Sequence, residues 1–213
     1  MTDPRAFILA NTRPVRPPHA PEIVLQLADE AVPLWKKTEE ELEAIGLPPP
    51  FWAFAWAGGQ ALARYILDNP EIVRGRAVLD FASGSGLVAI AAMLAGARSA
   101  LACDIDPYAA AAVQINAAAN GVTVDFAGSD MVGEDVRADI LLAGDVFYEK
   151  PFAERLVAWF GNLRATGKTV LIGDPGRSYL PKQHLTQLAT YEIAVTRELE
   201  DSEVKRSCVW AFD

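Results

Sequence analysis

The stretch Val78-Leu79-Asp80-Phe81-Ala82-Ser83-Gly84-Ser85-Gly86 joins an apolar segment to a glycine turn, and a second apolar run begins at Leu87. The first segment predicts a buried strand, and the run after the turn predicts a helix. Glycines allow a backbone to approach a ligand where a Cβ would collide, and the first turn of a helix points unpaired N–H groups at the same place. The stretch therefore predicts a nucleotide-binding β–α turn.

The glycine pattern alone does not identify the nucleotide. Gly84, Gly86 and Ala89 fit the dinucleotide pattern G-x-G-x-x-A, and a β–α turn without a ligand is the structural alternative. A carboxylate at Asp80 would repel phosphate but suits a cationic, amino-acid-like ligand held through water or backbone amides. Asp104 ends the next apolar run, about twenty residues on, where such folds bind a ribose diol; an N-cap of the helix that starts near Pro107 is the alternative. Together the two acids favour S-adenosylmethionine over a dinucleotide.

Composition limits the remaining classes of protein. The chain has 213 residues, 51% of them hydrophobic, and a formal net charge of −9, which predicts one soluble domain and disfavours a nucleic-acid partner. The longest apolar stretch is too short to cross a membrane, and the amino terminus lacks the order of a signal peptide, so we expect a cytoplasmic protein without a membrane partner, and a monomer. His19 and His184 are isolated and no residues have metal-ligand spacing, so we expect no metal site.

Alternating strand and helix patterns predict the fold class, an α/β protein with a doubly wound, mostly parallel sheet and helices on both faces. We expect helices at 21–30, 36–45 and 60–68 in an N-terminal helical extension, residues 1–75, of a single domain. The core, residues 76–213, is expected to contain a strand from Ala77, a helix to Leu94, a strand to Asp104, a helix to Asn120, strands at 123–126, 140–144 and 169–173, and a helix at 152–163. Two β-rich runs, 191–199 and 204–212, joined by Glu200-Asp201-Ser202, predict a closing antiparallel hairpin.

Polar residues follow the expected parallel strands, at the edge where such sheets bind ligands. Ser129-Asp130 follow the third and are candidates for the adenine amino group, with a turn or N-cap role as the alternative. Gly144-Asp145-Val146-Phe147-Tyr148 brings an acid and two aromatic rings to the mouth of the pocket, and core packing is the alternative for Phe147. Asp174-Pro175-Gly176-Arg177 follows the fifth; it would border the mouth, or form a structural turn with an Arg–carboxylate pair.

These motifs resemble those of the seven-stranded S-adenosylmethionine-dependent methyltransferases, and within them the protein lysine methyltransferases of the electron transfer flavoprotein β subunit. The run Asp104-Ile105-Asp106-Pro107 is common to the superfamily, whereas the D-x-x-Y run ending at Tyr148 and the run ending at Arg177 are more specific. Ala57 stands where the W-P-G-G-Q motif of the family has proline. The resemblance spans most of the chain, at 7–12, 21–27, Phe51-Trp52-Ala53, Trp56-Ala57-Gly58-Gly59-Gln60, 65–70, 78–86, 104–107, 144–148, 171–177 and Val209-Trp210.

The resemblance implies a Rossmann-like seven-stranded sheet with an antiparallel last strand, and S-adenosylmethionine as methyl donor with S-adenosylhomocysteine as product. It implies a protein substrate, the electron transfer flavoprotein β subunit first and a ribosomal protein second. The implied catalytic residues are Asp145 and Tyr148, and Phe147, Asp174 and Arg177 would bind substrate. The implied cofactor-binding residues are Trp56, Asp80, Ser83, Gly84, Ser85, Gly86, Asp104, Ile105, Ser129 and Asp130; plain core packing is the alternative for Trp56.

Lysine chemistry limits what Asp145 can do. A lysine with a pKa near 10.4 costs about 4–5 kcal/mol to deprotonate at neutral pH, and an ordinary carboxylate is too weak a base to recover this. We therefore expect Asp145 to capture and aim the amine after the proton has left to solvent. Methylation of a small molecule, chemistry with NAD, and a non-catalytic module that binds S-adenosylmethionine remain as other function classes.

Overall fold

The computed structural model describes residues 3–28, 49–194 and 204–213. Its strands are β1 (Arg13–Val15), β2 (Leu25–Leu27), β3 (Ala77–Phe81), β4 (Ser99–Cys103), β5 (Asp125–Ala127), β6 (Ile140–Gly144), β7 (Thr169–Asp174), β8 (Leu185–Ala194) and β9 (Val204–Phe212). Its α-helices are α1 (Pro4–Asn11), α2 (Ala57–Asp68), α3 (Leu87–Leu94), α4 (Pro107–Ala119) and α5 (Lys150–Ala165). Short 3-10 turns cover Phe51–Ala53, Pro70–Ile72 and Lys182–His184.

Seven strands form one sheet in the order β5-β4-β3-β6-β7-β9-β8. Neighbouring strands from β5 to β7 are parallel, and β9 lies antiparallel between β7 and β8. The α/β class and the antiparallel last strand expected from the sequence are confirmed. Several boundaries differ from expectation. Helix α2 begins at Ala57 and α5 covers Lys150–Ala165, while β5 begins at Asp125 and the first strand of the closing hairpin begins at Leu185.

The N-terminal part contains a feature that the sequence did not predict. The helix expected at 21–30 is wrong over residues 21–28, where β2 pairs antiparallel with β1. The side chains of Asn116 and Asn120 accept hydrogen bonds from the N–H groups of Gln26 and Val24, at 2.7 and 2.8 Å, which holds this segment extended against α4. The helix expected at 36–45 and the turn at 200–202 lie outside the described residues.

Helix α2 lies on the sheet with almost no space at its amino end. An added Cβ at Gly58 would be 2.3 Å from the Gly173 oxygen, and one at Gly144 would be 2.9 Å from the Gly59 Cα. Further along the helix, Ala61, Leu62 and Ile66 are buried in a cluster that includes residues of β6, β7 and β9. The start of α2 is thereby fixed against the carboxyl ends of β6 and β7. Among the described residues, no helix is long and apolar enough to cross a membrane.

Candidate active site

The loop between β3 and α3 requires its glycines. Ala82, Gly84 and Gly86 all have positive φ, at +53°, +49° and +79°. A Cβ at Gly84 would lie 3.5 Å from the Phe51 carbonyl oxygen, so the loop passes directly under the Phe51–Ala53 turn. The Oγ of Ser83 is buried and has no hydrogen-bond partner within the described parts of the chain. The loop therefore combines a close backbone approach with an unused polar group, as a ligand cradle does.

Two carboxylates lie beside this loop. Asp80 is almost fully buried and accepts a hydrogen bond from the Ala89 N–H at 2.9 Å, and its burial raises its pKa to about 8. Asp104 accepts from the Gly84 N–H at 2.9 Å and from the Asp106 N–H at 3.1 Å, and burial raises its pKa above the ordinary value. Both acids would be stabilised in their charged form by a cation, since each loses hydration on burial.

The helix cap expected as an alternative role of Asp104 belongs instead to Asp106. The N-cap of α4 is Asp106, whose carboxylate accepts from the Tyr108 N–H at 2.8 Å, so the alternative that made Asp104 the cap does not hold. Ile105 directly follows Asp104 and is 76% exposed. Asp104 is thus free of a capping role and lies next to the glycine loop.

Ser129 and Asp130 lie on the surface after β5. Asp130 accepts from the Val132 N–H at 3.0 Å and forms an ion pair with Arg155 at 2.7 Å, which lowers its pKa. The backbone oxygen of Ser129 accepts from the Cys103 thiol. These contacts are typical of residues that stabilise a turn, which was the alternative role of Ser129 and Asp130. Binding of adenine by the two residues stays a prediction.

Aromatic rings border the cleft on the side of α2. Trp56, the N-cap residue of α2, donates its indole N–H to the Phe51 oxygen at 3.0 Å, and its ring lies 6.0 Å from that of Phe51. The ring of Tyr148, which is 54% exposed, lies 6.3 Å from that of Phe51. Phe147, in contrast, is fully buried and packs against Phe160, as expected for a residue of the hydrophobic core. We therefore leave Phe147 out of the proposed substrate surface.

Asp145 has an unusual backbone that aims its side chain at α2. The preceding Gly144 faces α2, so regular alternation along β6 would point residue 145 away from the helix. The φ of Asp145 is +58°, a strained value for a residue with a Cβ. Its Oδ2 consequently accepts the Gly59 N–H at 2.9 Å, at the positive end of α2.

The other carboxylate oxygen of Asp145 is paired with Arg177. The Nη2 and Nε of Arg177 donate to Oδ1 at 2.7 and 3.2 Å, and the two side chains are 23% and 8% exposed for Arg177 and Asp145. Asp174 holds the turn that carries Arg177, since its Oδ1 accepts from the N–H groups of Gly176 and Arg177. Its Oδ2 is buried without a partner in the described structure, and burial raises the pKa of Asp174 to about 6. A turn with an Arg–carboxylate pair is present here; contact with substrate stays a prediction.

Comparison with known proteins identifies the family. The family described as Ribosomal protein L11 methyltransferase (PrmA) matches residues 60–145. The electron transfer flavoprotein beta subunit lysine methyltransferase of Xenopus laevis is 39% identical over 219 residues, covering 100% of this chain and 88% of the relative. That of Homo sapiens is 37% identical over 216 residues, covering 98% and 81%. The chain belongs to the electron transfer flavoprotein beta subunit lysine methyltransferase family. This confirms the resemblance found in the sequence, and the chain is accordingly a methyltransferase.

Solved structures agree with the fold of this lysine methyltransferase family member. Magnesium protoporphyrin IX methyltransferase from Synechocystis PCC 6803, crystallised with bound SAM, has a TM-score of 0.52 and 18% identity, covering 73% of this chain and 80% of that chain. At this identity the likeness concerns the Rossmann-like methyltransferase fold alone.

Two groups that line the methyltransferase cleft are not among the residues predicted from the sequence, namely the Phe51 ring and the Gly59 N–H. Consecutive glycines are unfavourable inside a helix, so Gly58-Gly59 at the start of α2 signals a close approach of backbones. No comparable signal marks Phe51, which is notable only because a large aromatic ring remains half exposed. Within the described residues no cluster of His, Cys, Asp or Glu could hold a metal ion.

Proposed function

We propose that this enzyme transfers methyl groups from S-adenosylmethionine to lysine side chains of the β subunit of electron transfer flavoprotein. Membership of the family named for that activity supports the proposal. The observation that carries it is the placement of Asp80, which is buried, and Asp104, which is partly buried, next to the glycine loop. A dinucleotide phosphate would be repelled by a charged Asp104, whereas a sulfonium or an ammonium would be attracted and would favour the charged form of Asp80, whose pKa burial raises to about 8.

The residues of the loop fit S-adenosylmethionine. We assign Asp104 to the ribose hydroxyls, Asp80 and the loop from Ser83 to Gly86 to the methionine end, and Trp56 to the wall beside it. The unused Ser83 oxygen and the positive φ of Gly84 and Gly86 support this assignment. A neighbour of the same fold was crystallised with SAM. When bound, the sulfonium supplies an electrophilic methyl group and leaves as S-adenosylhomocysteine.

The acceptor lysine enters, in this proposal, between the aromatic rim and Asp145. Phe51, Trp56 and Tyr148 would enclose the apolar stem of the lysine and exclude water, and aromatic faces also attract its cationic end. Asp145 is held by Gly59 and Arg177 and cannot move toward a ligand, so it would aim the amine rather than remove its proton. Placing the amine at near-attack distance supplies much of the rate acceleration.

We also propose that residues 1–75 and 76–213 act as one methyltransferase domain, because α2 packs on β6 and β7 and the Phe51–Ala53 turn covers the glycine loop. The PrmA match favours a ribosomal protein as a second candidate substrate. A monomeric state, a cytoplasmic location and the absence of nucleic-acid partners stay predictions from the sequence.

A label-transfer experiment tests the substrate. Purified electron transfer flavoprotein, a purified ribosomal L11 protein and a whole-cell extract are each incubated with the enzyme and methyl-labelled S-adenosylmethionine. We expect label on the flavoprotein β subunit, and label on the ribosomal protein or on small molecules alone would refute this substrate.

The matched control uses the two ends of one strand. Asp145 follows β6 and pairs with Arg177, whereas Asp139 precedes β6 and pairs with Arg98 at 3.3 Å on the surface. We expect Asp145→Asn to abolish label transfer and Asp139→Asn to preserve it. Equal activity of the two variants would contradict the role of Asp145.

A further inference from the structure

Arg177 contacts two of the groups that the proposed function places beside the substrate lysine, Asp145 and Trp56. Its guanidinium donates two hydrogen bonds to Oδ1 of Asp145, and its Cζ lies 5.8 Å from the centre of the Trp56 ring. A carboxylate together with an aromatic face is the usual environment of a bound ammonium or guanidinium. The chain therefore supplies its own cation to the pair of groups that face the proposed lysine channel.

The charge of Asp145 is consequently compensated before any substrate arrives. Oδ1 faces Arg177, and Oδ2 faces the Gly59 N–H at the positive end of α2. An uncompensated carboxylate would stabilise a lysine ammonium, which cannot attack the methyl group because its lone pair is bound to a proton. Compensation removes this obstacle, because a carboxylate whose charge is cancelled no longer favours the ammonium over the neutral amine.

We propose that Arg177 is a positioning residue that acts through Asp145, fixing the carboxylate and cancelling its charge so that the substrate amine is held neutral rather than as an ammonium. This rests on the proposed function, and it adds a reason why the turn after β7 ends in an arginine. The proton of the lysine leaves to solvent before methyl transfer, and the amine lone pair forms the new N–C bond as the methyl–sulfur bond breaks.

The other titrating groups near Asp145 are present in every protein compared, so they do not account for a difference between them. Asp174 lies in the same turn, and burial raises its pKa to about 6, which is well below the pKa of a lysine. Tyr148 borders the channel, and burial raises its pKa further above an ordinary value of about 10. Asp80 and Asp104 lie in the cofactor site, where saturation with S-adenosylmethionine keeps their state the same in the proteins compared.

The test is the pH dependence of kcat, which reports groups in the enzyme–substrate complex, with S-adenosylmethionine and flavoprotein both saturating. Arg177→Met removes the charge and keeps most of the apolar stem, and Arg177→Lys keeps the charge. We expect the acidic limb of Arg177→Met to move up by about one to two pH units, the effect of one nearby charge. At pH values below the midpoints of both limbs, kcat of Arg177→Met should be about 10- to 100-fold lower than that of the wild type, while KM does not rise. At pH values above both midpoints, kcat of the two proteins should be equal.

Matched controls separate this from a structural role. Arg177→Lys should return the acidic limb toward the wild-type position. Arg98→Met breaks an exposed Arg98–Asp139 pair at the amino ends of the strands, and it should leave the limb unchanged. A loss of kcat that is equal at every pH, or an unmoved limb, overturns the proposal. If Arg177→Met does not fold, Arg177→Gln is measured instead with the same expectation, since it is also uncharged. Absence of lysine methylation by the wild-type enzyme at any pH refutes the proposed function itself.

Discussion

Replacing Gly58 with alanine should detach the start of α2 from the sheet and disturb Asp145. The new Cβ would lie 2.3 Å from the Gly173 oxygen and 2.6 Å from Oδ2 of Asp145, and the first of these is a backbone atom that cannot rotate away. Overpacking costs about 1–3 kcal/mol, and a clash with backbone belongs at the upper end of that range. The gain in helix propensity offsets about 0.5–1 kcal/mol, so we expect a net loss of about 2 kcal/mol. For a chain of this length that lowers the Tm by about 4–8 °C.

The neighbouring Gly59 provides the control, because nothing lies within 4 Å of its added Cβ. Gly59→Ala should raise the unfolding free energy by about 0.5–1 kcal/mol through helix propensity and keep the N–H that Asp145 accepts. Urea and thermal unfolding followed by circular dichroism measure both variants. In methyl transfer, Gly58→Ala should lose about 100-fold, since a shift of about 1 Å in a positioned group has that effect. Equal stability of the two variants would refute the close packing from which the site is built.

Three further predictions concern the acids and the rim. Asp145→Asn should lose methyl transfer and keep binding of S-adenosylmethionine in titration calorimetry; lost binding would place Asp145 in the cofactor site instead. Because burial raises the pKa of Asp80 to about 8 and an unfolded aspartate titrates near 3.9, the folded chain holds the extra proton, and its unfolding free energy falls as pH rises between these values. Asp80→Asn should therefore gain stability relative to wild type from about pH 5 to about pH 8 in urea unfolding, and a constant difference would contradict the raised pKa. Tyr148→Phe should lower kcat by about tenfold, because we expect the Tyr148 hydroxyl to form one hydrogen bond with the substrate amine. Tyr148→Ala should also raise KM, so identical kinetics of the two variants would exclude a role for the ring.

The fold was predictable because its signals are local. The glycine turn at 83–86, the acid at the end of β3 and the alternation of strands and helices depend on neighbours in sequence, and α3 and β6 have the expected bounds. The helix prediction fails at 21–28, where Ile23, Leu25 and Leu27 alternate as in a strand, but the run is short. β2 is held by pairing with β1 and by Asn116 and Asn120, about 90 residues away.

The candidate site was predictable in its residue types but not in its pairings. The sequence indicated an acid after β6 and an arginine after β7. It also allowed an Arg–carboxylate pair, but it did not show which acid pairs with Arg177. That Asp145 pairs with Arg177 depends on the adjacency of β6 and β7 and on the positive φ of Asp145, and neither can be derived from a local pattern. The burial of Phe147 likewise follows from the packing of α5 on the sheet.

Mass spectrometry of the flavoprotein tests the central claim most directly. Electron transfer flavoprotein is incubated with S-adenosylmethionine and either the wild-type enzyme or Asp145→Asn, and the β subunit is digested and its peptides are sequenced by fragmentation. The account predicts added methyl groups on lysine of the β subunit with the wild-type enzyme and none with the variant. An unmodified β subunit in the presence of an enzyme that binds S-adenosylmethionine would contradict it.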